Sequence, residues 1–287
     1  MKPRPLFDQR QSLLKPVMDR FARIRKIILF LDFDGTLAPI RKTPSLATLP
    51  AATRALLRRL ANRPNIVVCL VTGRSQADIK EKVQIRNVLW IANHGFEISM
   101  GRSHWVHRSA GLARPGLGEI ARKLKRGLLT IPGVLIENKR YTLTVHYRNV
   151  RKQSVRLVKE MTRRLLRPYE GKFRITRGKK VFEVRPDAPW NKGHAVEWVL
   201  KCLRPDKTSL VVYIGDDRTD EDAFKLLHGR ALTVLVGRRT QSAARYRVRS
   251  TRAVAVLLKI IDATTTKGEG RWLCKPMTRS IFTPART

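Results

Sequence analysis

Acidic residues are scarce in this chain. Asp and Glu number 22 against 60 Lys and Arg in 287 residues, a formal charge of +38. Such a surface attracts polyanions: nucleic acid, anionic lipid or phosphorylated metabolites. The bases are spread along the whole chain, with no helix-turn-helix, zinc-finger or RNP signature. The expectation is therefore non-specific nucleic-acid or anionic-surface binding, lost at moderate salt. Cysteine is scarcer still. Cys69, Cys202 and Cys274 stand far apart, with no C-x-x-C pair and no His at ligand spacing. That excludes a disulfide framework and a zinc site, and points to a reducing compartment. No apolar run reaches the ~18 residues a membrane span needs, and no signal-peptide apolar region follows the basic start. The expectation is a cytoplasmic protein, a monomer in preference to an oligomer.

What is present is an alternation of buried-strand and helix patterns. IILFLD (27–32), NIVVCLV (65–71) and VLWIA (88–92) are continuous apolar runs, as in strands buried on both faces of a parallel sheet. PAATRALLRRLAN (50–62) reads as a helix opened by Pro50. FEISM and HWVHR read as a hairpin around Gly101 and Arg102. The pattern then changes to a helix at 115–129, two strands joined near Asn138–Arg140, a basic helix at 151–168, and a hairpin turning at Gly178. From residue 191 the buried-strand pattern returns with KGHAVEWVLKCL, SLVVYIGDD, a helix after Thr219, and ALTVLVG.

The predicted fold class is α/β. A doubly wound, parallel-sheet, Rossmann-like core (26–108 and 188–262) carries an inserted α+β cap domain of αββαββ order (109–187). Residues 1–25 read as a basic segment, one amphipathic helix with Leu13, Leu14, Val17, Phe21 and Ile24 on a face. Residues 263–287 lack periodicity and read as a flexible tail.

Six of the acids stand at or just after strand ends. Asp32 and Asp34 close the first run, and Asp216, Asp217, Asp220 and Glu221 follow VVYIG. Thr72-Gly73-Arg74 closes the second run, and Lys192-Gly193 opens a helix. Sites in open parallel sheets form outside the carboxyl ends of the strands. Crowded carboxylates become favourable once a hard dication sits among them, and Mg²⁺ takes oxygen ligands plus substrate phosphate. The predicted roles follow. Asp32 is the nucleophile that forms an aspartyl-phosphate, and Asp34 is the acid/base. Thr72 and Lys192 hold the phosphoryl oxygens. Asp32, Asp34 and Asp216 face the metal, Asp220 supports it from behind, and Asp217 does either. Thr219 with Asp222 reads as a capping-box start to the next helix, with Glu221 as an acid in its first turn.

DFDGT, VTGR, NKG and GDDRTDEDAF, in that order, resemble the four motifs of the haloacid dehalogenase-like phosphatases. LDFDGTLAPI, HGFEI, GVLIENKRYTLTVHYR and GDDRTDEDAF together narrow the resemblance to the trehalose-6-phosphate phosphatases. That resemblance implies hydrolysis of trehalose 6-phosphate beneath a closing cap, with a Mg²⁺ cofactor. It also implies sugar-contacting roles for Glu137, Lys139, His146, Arg148 and Glu183, with Gly73, Arg74 and His94 lining the cleft. A related sugar phosphatase, acting on sucrose phosphate or mannosyl-phosphoglycerate, is the alternative enzyme. A basic nucleic-acid- or anion-binding protein on the same scaffold is the alternative from another class. His146 has an ordinary surface role as its other reading, and Trp190, at the return from cap to core, reads as packing.

Overall fold

The structure is a computed structural model and describes residues 2–7, 17, 24–178 and 180–265. In chain order the core opens with β1 (Arg4–Pro5), β2 (Lys26–Asp32), α1 (Ala51–Ala61), β3 (Ile66–Val71) and α2 (Gln76–Val83). It continues with β4 (Val88–Ala92), β5 (Glu97–Met100) and β6 (Ser103–Val106). The cap follows: α3 (Arg108–Leu128), β7 (Leu135–Asn138), β8 (Leu143–His146), α4 (Val155–Leu166), β9 (Phe173–Gly178) and β10 (Val181–Pro186). The core resumes with α5 (Lys192–Leu203), β11 (Ser209–Gly215), α6 (Glu221–Leu226), β12 (Leu232–Val236), β13 (Tyr246–Val248) and α7 (Thr251–Thr265).

The core sheet has nine strands in the order β1-β13-β12-β11-β2-β3-β4-β5-β6. It is parallel from β1 to β4, and the β5–β6 hairpin adds antiparallel strands at one edge, so it is mixed rather than wholly parallel. Successive residues of a strand face opposite sides of its sheet. In β2, Ile27, Leu29 and Leu31 accordingly pack with α1 and α7, while Ile28 and Phe30 pack with α5 and α6. Each such side chain contributes ~1.5–3 kcal/mol by leaving water. Because both faces are covered, polar groups that close these strands gather at one rim.

The cap sheet is four-stranded and antiparallel, ordered β7-β8-β10-β9. One face, with Leu143, Val145, Phe182 and Val184, packs on Leu117, Ile120 and Leu124 of α3 and Val158 of α4. The intervening positions turn to the other face. Glu137, Thr144, Glu183 and Thr176 lie in register across all four strands there. The chain leaves the core at His107 and returns through Ala188 to Trp190. These passages adjoin: the His107 and Trp190 rings are 4.9 Å apart, and the Trp190 indole donates to Gly95 O at 2.8 Å. Trp190 thus packs with Trp105 and His194.

Several boundaries differ from the sequence reading. The cap helix begins at Arg108, not 115, because His107 caps it by accepting from the Ser109 amide. Pro115 therefore lies inside the helix rather than at its start. Arg4–Pro5 forms a strand against β13 instead of a helix, and most of the proposed basic helix lies outside the described residues. β13 and α7 had no sequence counterpart, and α7 runs through Thr265, past the start of the supposed tail. The rest of that tail, with Cys274, lies outside the described residues. Cys69 and Cys202 are free thiols. Among the described residues no helix is long and apolar enough to cross a membrane.

Candidate active site

At the carboxyl end of β2 the buried Asp32 carboxylate accepts from Lys192 Nζ at 2.7 Å. Lys192 opens α5 and also donates to Asp220 Oδ1 at 2.8 Å. Asp220 is fully buried and saturated. Its Oδ1 also accepts from the Tyr213 hydroxyl at 2.8 Å, and its Oδ2 accepts from the Asp216 and Asp217 amides at 3.0 and 2.9 Å. It fixes the lysine and the loop after β11 together. Burial alone would lower the Lys192 ammonium, but Asp220 and Asp32 outweigh it and hold the group above its ordinary range. Burial is the largest influence on Asp32 and pushes its carboxyl up, Lys192 pulls it down, and Asp220 and Asp216 push it up again.

Ligand oxygens of Asp32, Asp216 and Asp220 lie within 4.8 Å of one another. The donors are all carboxylate oxygens, which suits a hard divalent cation. A dication there would oppose the mutual repulsion that raises Asp32. These residues fit such an ion, with Asp32 and Asp216 facing it, since both Asp220 oxygens are engaged. Gly35 keeps this ground clear. Its φ is +88°, and a Cβ built there would overlap the Asp216 carboxylate. Gly35→Ala is therefore expected to cost ~1–3 kcal/mol of backbone strain and to displace Asp216. The check is a denaturant titration paired with metal-binding calorimetry, where unchanged metal affinity would exonerate the glycine.

Asp34 was expected beside the metal and is not in this cluster. Arg74 Nε and Nη2 hold its two oxygens at 2.7 and 2.8 Å, a bidentate pair that engages both of them. Arg74 also binds Asp78 at 2.6 Å and Pro44 O at 2.8 Å. Burial works against its guanidinium charge, but Asp34 and Asp78 outweigh that and raise it. The Thr72 hydroxyl accepts from the Arg74 amide at 3.1 Å, which leaves its own proton for another acceptor. The helix start after β11 also differs from expectation. Asp217 and Asp220 form the capping box, not Thr219 and Asp222, and Glu221 accepts from Arg239, Ser242 and the Ala243 amide to tie down the loop before β13.

The cap closes the roof. Lys139 Nζ donates to Gly73 O at 3.0 Å, and the Thr142 hydroxyl donates to Asn93 Oδ1 at 2.9 Å. The Asn93 amide in turn donates to the buried Glu97, a link that its sequence position does not announce. His146 pairs with Glu137 at 2.8 Å, and Thr144 donates to Glu183 at 3.0 Å. Burial is the largest influence on Glu183 and would raise it, but Lys139, His94 and Arg185 together hold it well below the carboxylate range. Glu137 is likewise lowered, mainly by His146 and Lys139 working against burial.

A cavity of about 190 Å³ joins these parts. It is lined by Asp32, Asp34, Thr72, Gly73, Arg74 and Lys192 from the core, with Asp216 and Asp217. His94 stands at the junction, and Glu137, Lys139, His146, Arg148 and Glu183 come from the cap. Of the residues given catalytic, metal-binding or sugar-binding roles from the sequence, Asp220 does not line this cavity, and the others do.

His94 has φ +58°, and its ring faces Gly73. Its Nε2 is 3.4 Å from Glu183, too long for a strong hydrogen bond, and neither ring nitrogen has a hydrogen-bond partner among the described residues. Burial, reinforced by Arg185, brings its pKa down to about 4, so the ring is neutral near neutral pH. The unfolded chain, with a His pKa of 6.5, takes up this proton first. Stability attributable to His94 is therefore full above pH 6.5 and falls as pH drops toward 4. Thermal melts at pH 7 and 5 should differ less for His94→Gln than for the wild type, and identical differences would remove His94 from the account.

A family model described as trehalose-phosphatase matches residues 30–252. A trehalose-phosphate phosphatase of Mycobacterium avium is 39% identical over 204 residues, covering 70% of this chain and 51% of that protein. Trehalose-phosphate phosphatase B of Arabidopsis thaliana is 34% identical over 230 residues, covering 76% and 61%. An uncharacterized glycosyl hydrolase of Mycobacterium tuberculosis is 39% identical over 218 residues, 74% of this chain but only 16% of that protein. The chain thus spans less than two thirds of the length of each of these curated relatives. Among solved structures, the C-terminal domain of the C. albicans trehalose-6-phosphate phosphatase superposes with a TM-score of 0.76 at 23% identity, covering 92% of this chain and 98% of that one. An Aspergillus fumigatus trehalose-6-phosphate phosphatase gives 0.60 at 26% identity, covering 91% and 99%.

Proposed function

This chain belongs to the trehalose-phosphatase family, and from that premise we propose that it is a Mg²⁺-dependent phosphomonoester hydrolase converting trehalose 6-phosphate to trehalose and phosphate. The observation that carries this reading is the meeting, in one cavity, of a lysine-bound aspartate at a strand end with a polar cap face.

The chain's own residues divide the work. The phosphoryl group sits between Asp32, the Thr72 hydroxyl and Lys192, whose donors neutralise its oxygens. An Asp32 carboxylate oxygen attacks phosphorus, the bond from phosphorus to the sugar oxygen breaks, and that oxygen takes a proton from Asp34. Asp34, now a carboxylate, takes a proton from water as the water attacks the aspartyl-phosphate, which releases phosphate and restores Asp32. Asp34 must first leave Arg74. Its side chain is 40% exposed, so water compensates for part of the lost pair. Bound between Asp32 and Asp216, Mg²⁺ would supply positive charge against the phosphoryl oxygens.

The sugar is recognised through hydroxyls. Glu137 and Glu183 accept, Lys139 and Arg148 donate, and the unpartnered nitrogens of neutral His94 offer one donor and one acceptor. Uncharged substrates demand several fixed polar contacts of this kind. The deciding experiment is phosphate release from trehalose 6-phosphate, sucrose 6-phosphate and mannosyl-3-phosphoglycerate. Trehalose 6-phosphate should have the highest kcat/KM by at least about tenfold. Chelation should abolish turnover, and Mg²⁺ should restore it. Turnover undiminished by chelator would refute the metal, and preference for another ester would refute the substrate.

A further inference from the structure

A broad trough of about 1180 Å³ opens beside the catalytic cavity, which measures about 190 Å³. The two share the wall made by His94, Glu183, Asp216 and Asp217. Away from that wall the trough has one carboxylate, Asp222, and is otherwise basic. Arg177 enters from the cap hairpin, and Arg218, Arg238 and Arg249 enter from loops of the core. All four are exposed, and no carboxylate pairs with them among the described residues. A fifth, Arg185, is half-buried, and its Nε has no hydrogen-bond partner among the described residues. Burial is the largest influence on that guanidinium and lowers it, with Arg174 adding to the effect against Glu183 and Asp222.

Guanidinium groups sharing one concavity repel each other, and a multivalent anion removes that cost. The guanidinium fork matches phosphate oxygens two at a time. The trough is also far larger than the catalytic cavity. Its apolar side chains are Ile40, Val181 and Val236, and no Phe, Tyr or Trp ring lines it. Proteins that hold single-stranded nucleic acid stack bases on such rings. The lining therefore favours a chain of phosphates without bases.

We propose that this trough binds linear inorganic polyphosphate, and that the bound chain overhangs the shared wall and competes with the sugar phosphate. The competition rests on the phosphatase reading, while the binding does not.

The test uses the whole chain and inorganic polyphosphate at physiological salt, read by isothermal titration calorimetry. The triple variant Arg177→Ala, Arg238→Ala, Arg249→Ala should bind roughly tenfold more weakly, or worse. A control that removes three exposed charges elsewhere on the cap, Arg163→Ala, Arg164→Ala, Arg167→Ala, should bind like the wild type. Polyphosphate should raise KM for trehalose 6-phosphate in the wild type and control, and leave the trough variant's KM unchanged. Equal losses in both triple variants, no measurable binding, or equally tight binding of a single-stranded RNA of matched charge would overturn the polyphosphate site. Intact binding with an unmoved KM would overturn the competition. If the wild type fails to hydrolyse trehalose 6-phosphate, the phosphatase reading falls, and calorimetry still decides the trough.

Discussion

Asp32→Asn should lower phosphate release from trehalose 6-phosphate by about 10⁴-fold or more while the protein stays folded, the order of loss seen when a covalent nucleophile is removed. The amide retains the shape of the carboxylate and can still accept from Lys192, which keeps its second partner in Asp220. One crowded negative charge disappears from a cluster in which burial, Asp220 and Asp216 all push the Asp32 carboxyl up. The thermal midpoint should therefore hold or rise. Lys192→Met makes the contrasting case. It strands Asp32 and Asp220 in the interior without their cation, and breaking a buried pair in this way costs ~3–5 kcal/mol. Rapid-quench assays with the melting curve of each variant make the comparison. An Asp32→Asn protein that keeps a tenth of wild-type turnover would move the nucleophile elsewhere.

The second large effect concerns selectivity. Glu183→Ala and Arg148→Ala should cut kcat/KM for trehalose 6-phosphate by about 10²–10³-fold, because a site built to bind hydroxyls leaves its other polar groups unpaired when one is lost. A small aryl phosphate, which reaches the core rim without needing the cap, should lose no more than about threefold. Glu183 is the stronger test. Thr144 donates to it at 3.0 Å, Lys139 lies 3.9 Å away, and its removal leaves that lysine buried with less compensation. Glu183→Gln, which keeps the acceptor and the packing, should recover part of the loss. Equal losses on both substrates would mean that the cap face shapes the phosphoryl site and does not read the sugar.

Much of this was legible in the chain, for identifiable reasons. β2, β3, β4 and β11 are buried on both faces, so their runs are apolar without interruption, and the polar residues that follow them, acids after β2 and β11, mark the rim. α5 begins at Lys192 as read, because Asn191 caps it by accepting from the His194 amide. In the cap, strict alternation through LTVH placed Thr144 and His146 on one face. Elements that depend on distant partners were not legible. β13 is only three residues long and carries Arg247 at its middle, so its strand character comes from pairing with β12 and β1. Pro115 looked like a helix start, although the capping histidine lies eight residues before it. The bidentate clasp of Arg74 on Asp34 joins positions 40 residues apart, and no local pattern encodes it. The Gln76–Glu97–Asn93–Thr142 chain is similar: each member is an ordinary polar residue until the fold buries it.

The cap meets the core by two strands of chain that pass side by side at His107 and Trp190. Any opening of the cap about that junction would have to break two latches at once, Lys139 on Gly73 and Thr142 on Asn93, while the aromatic cluster stays packed.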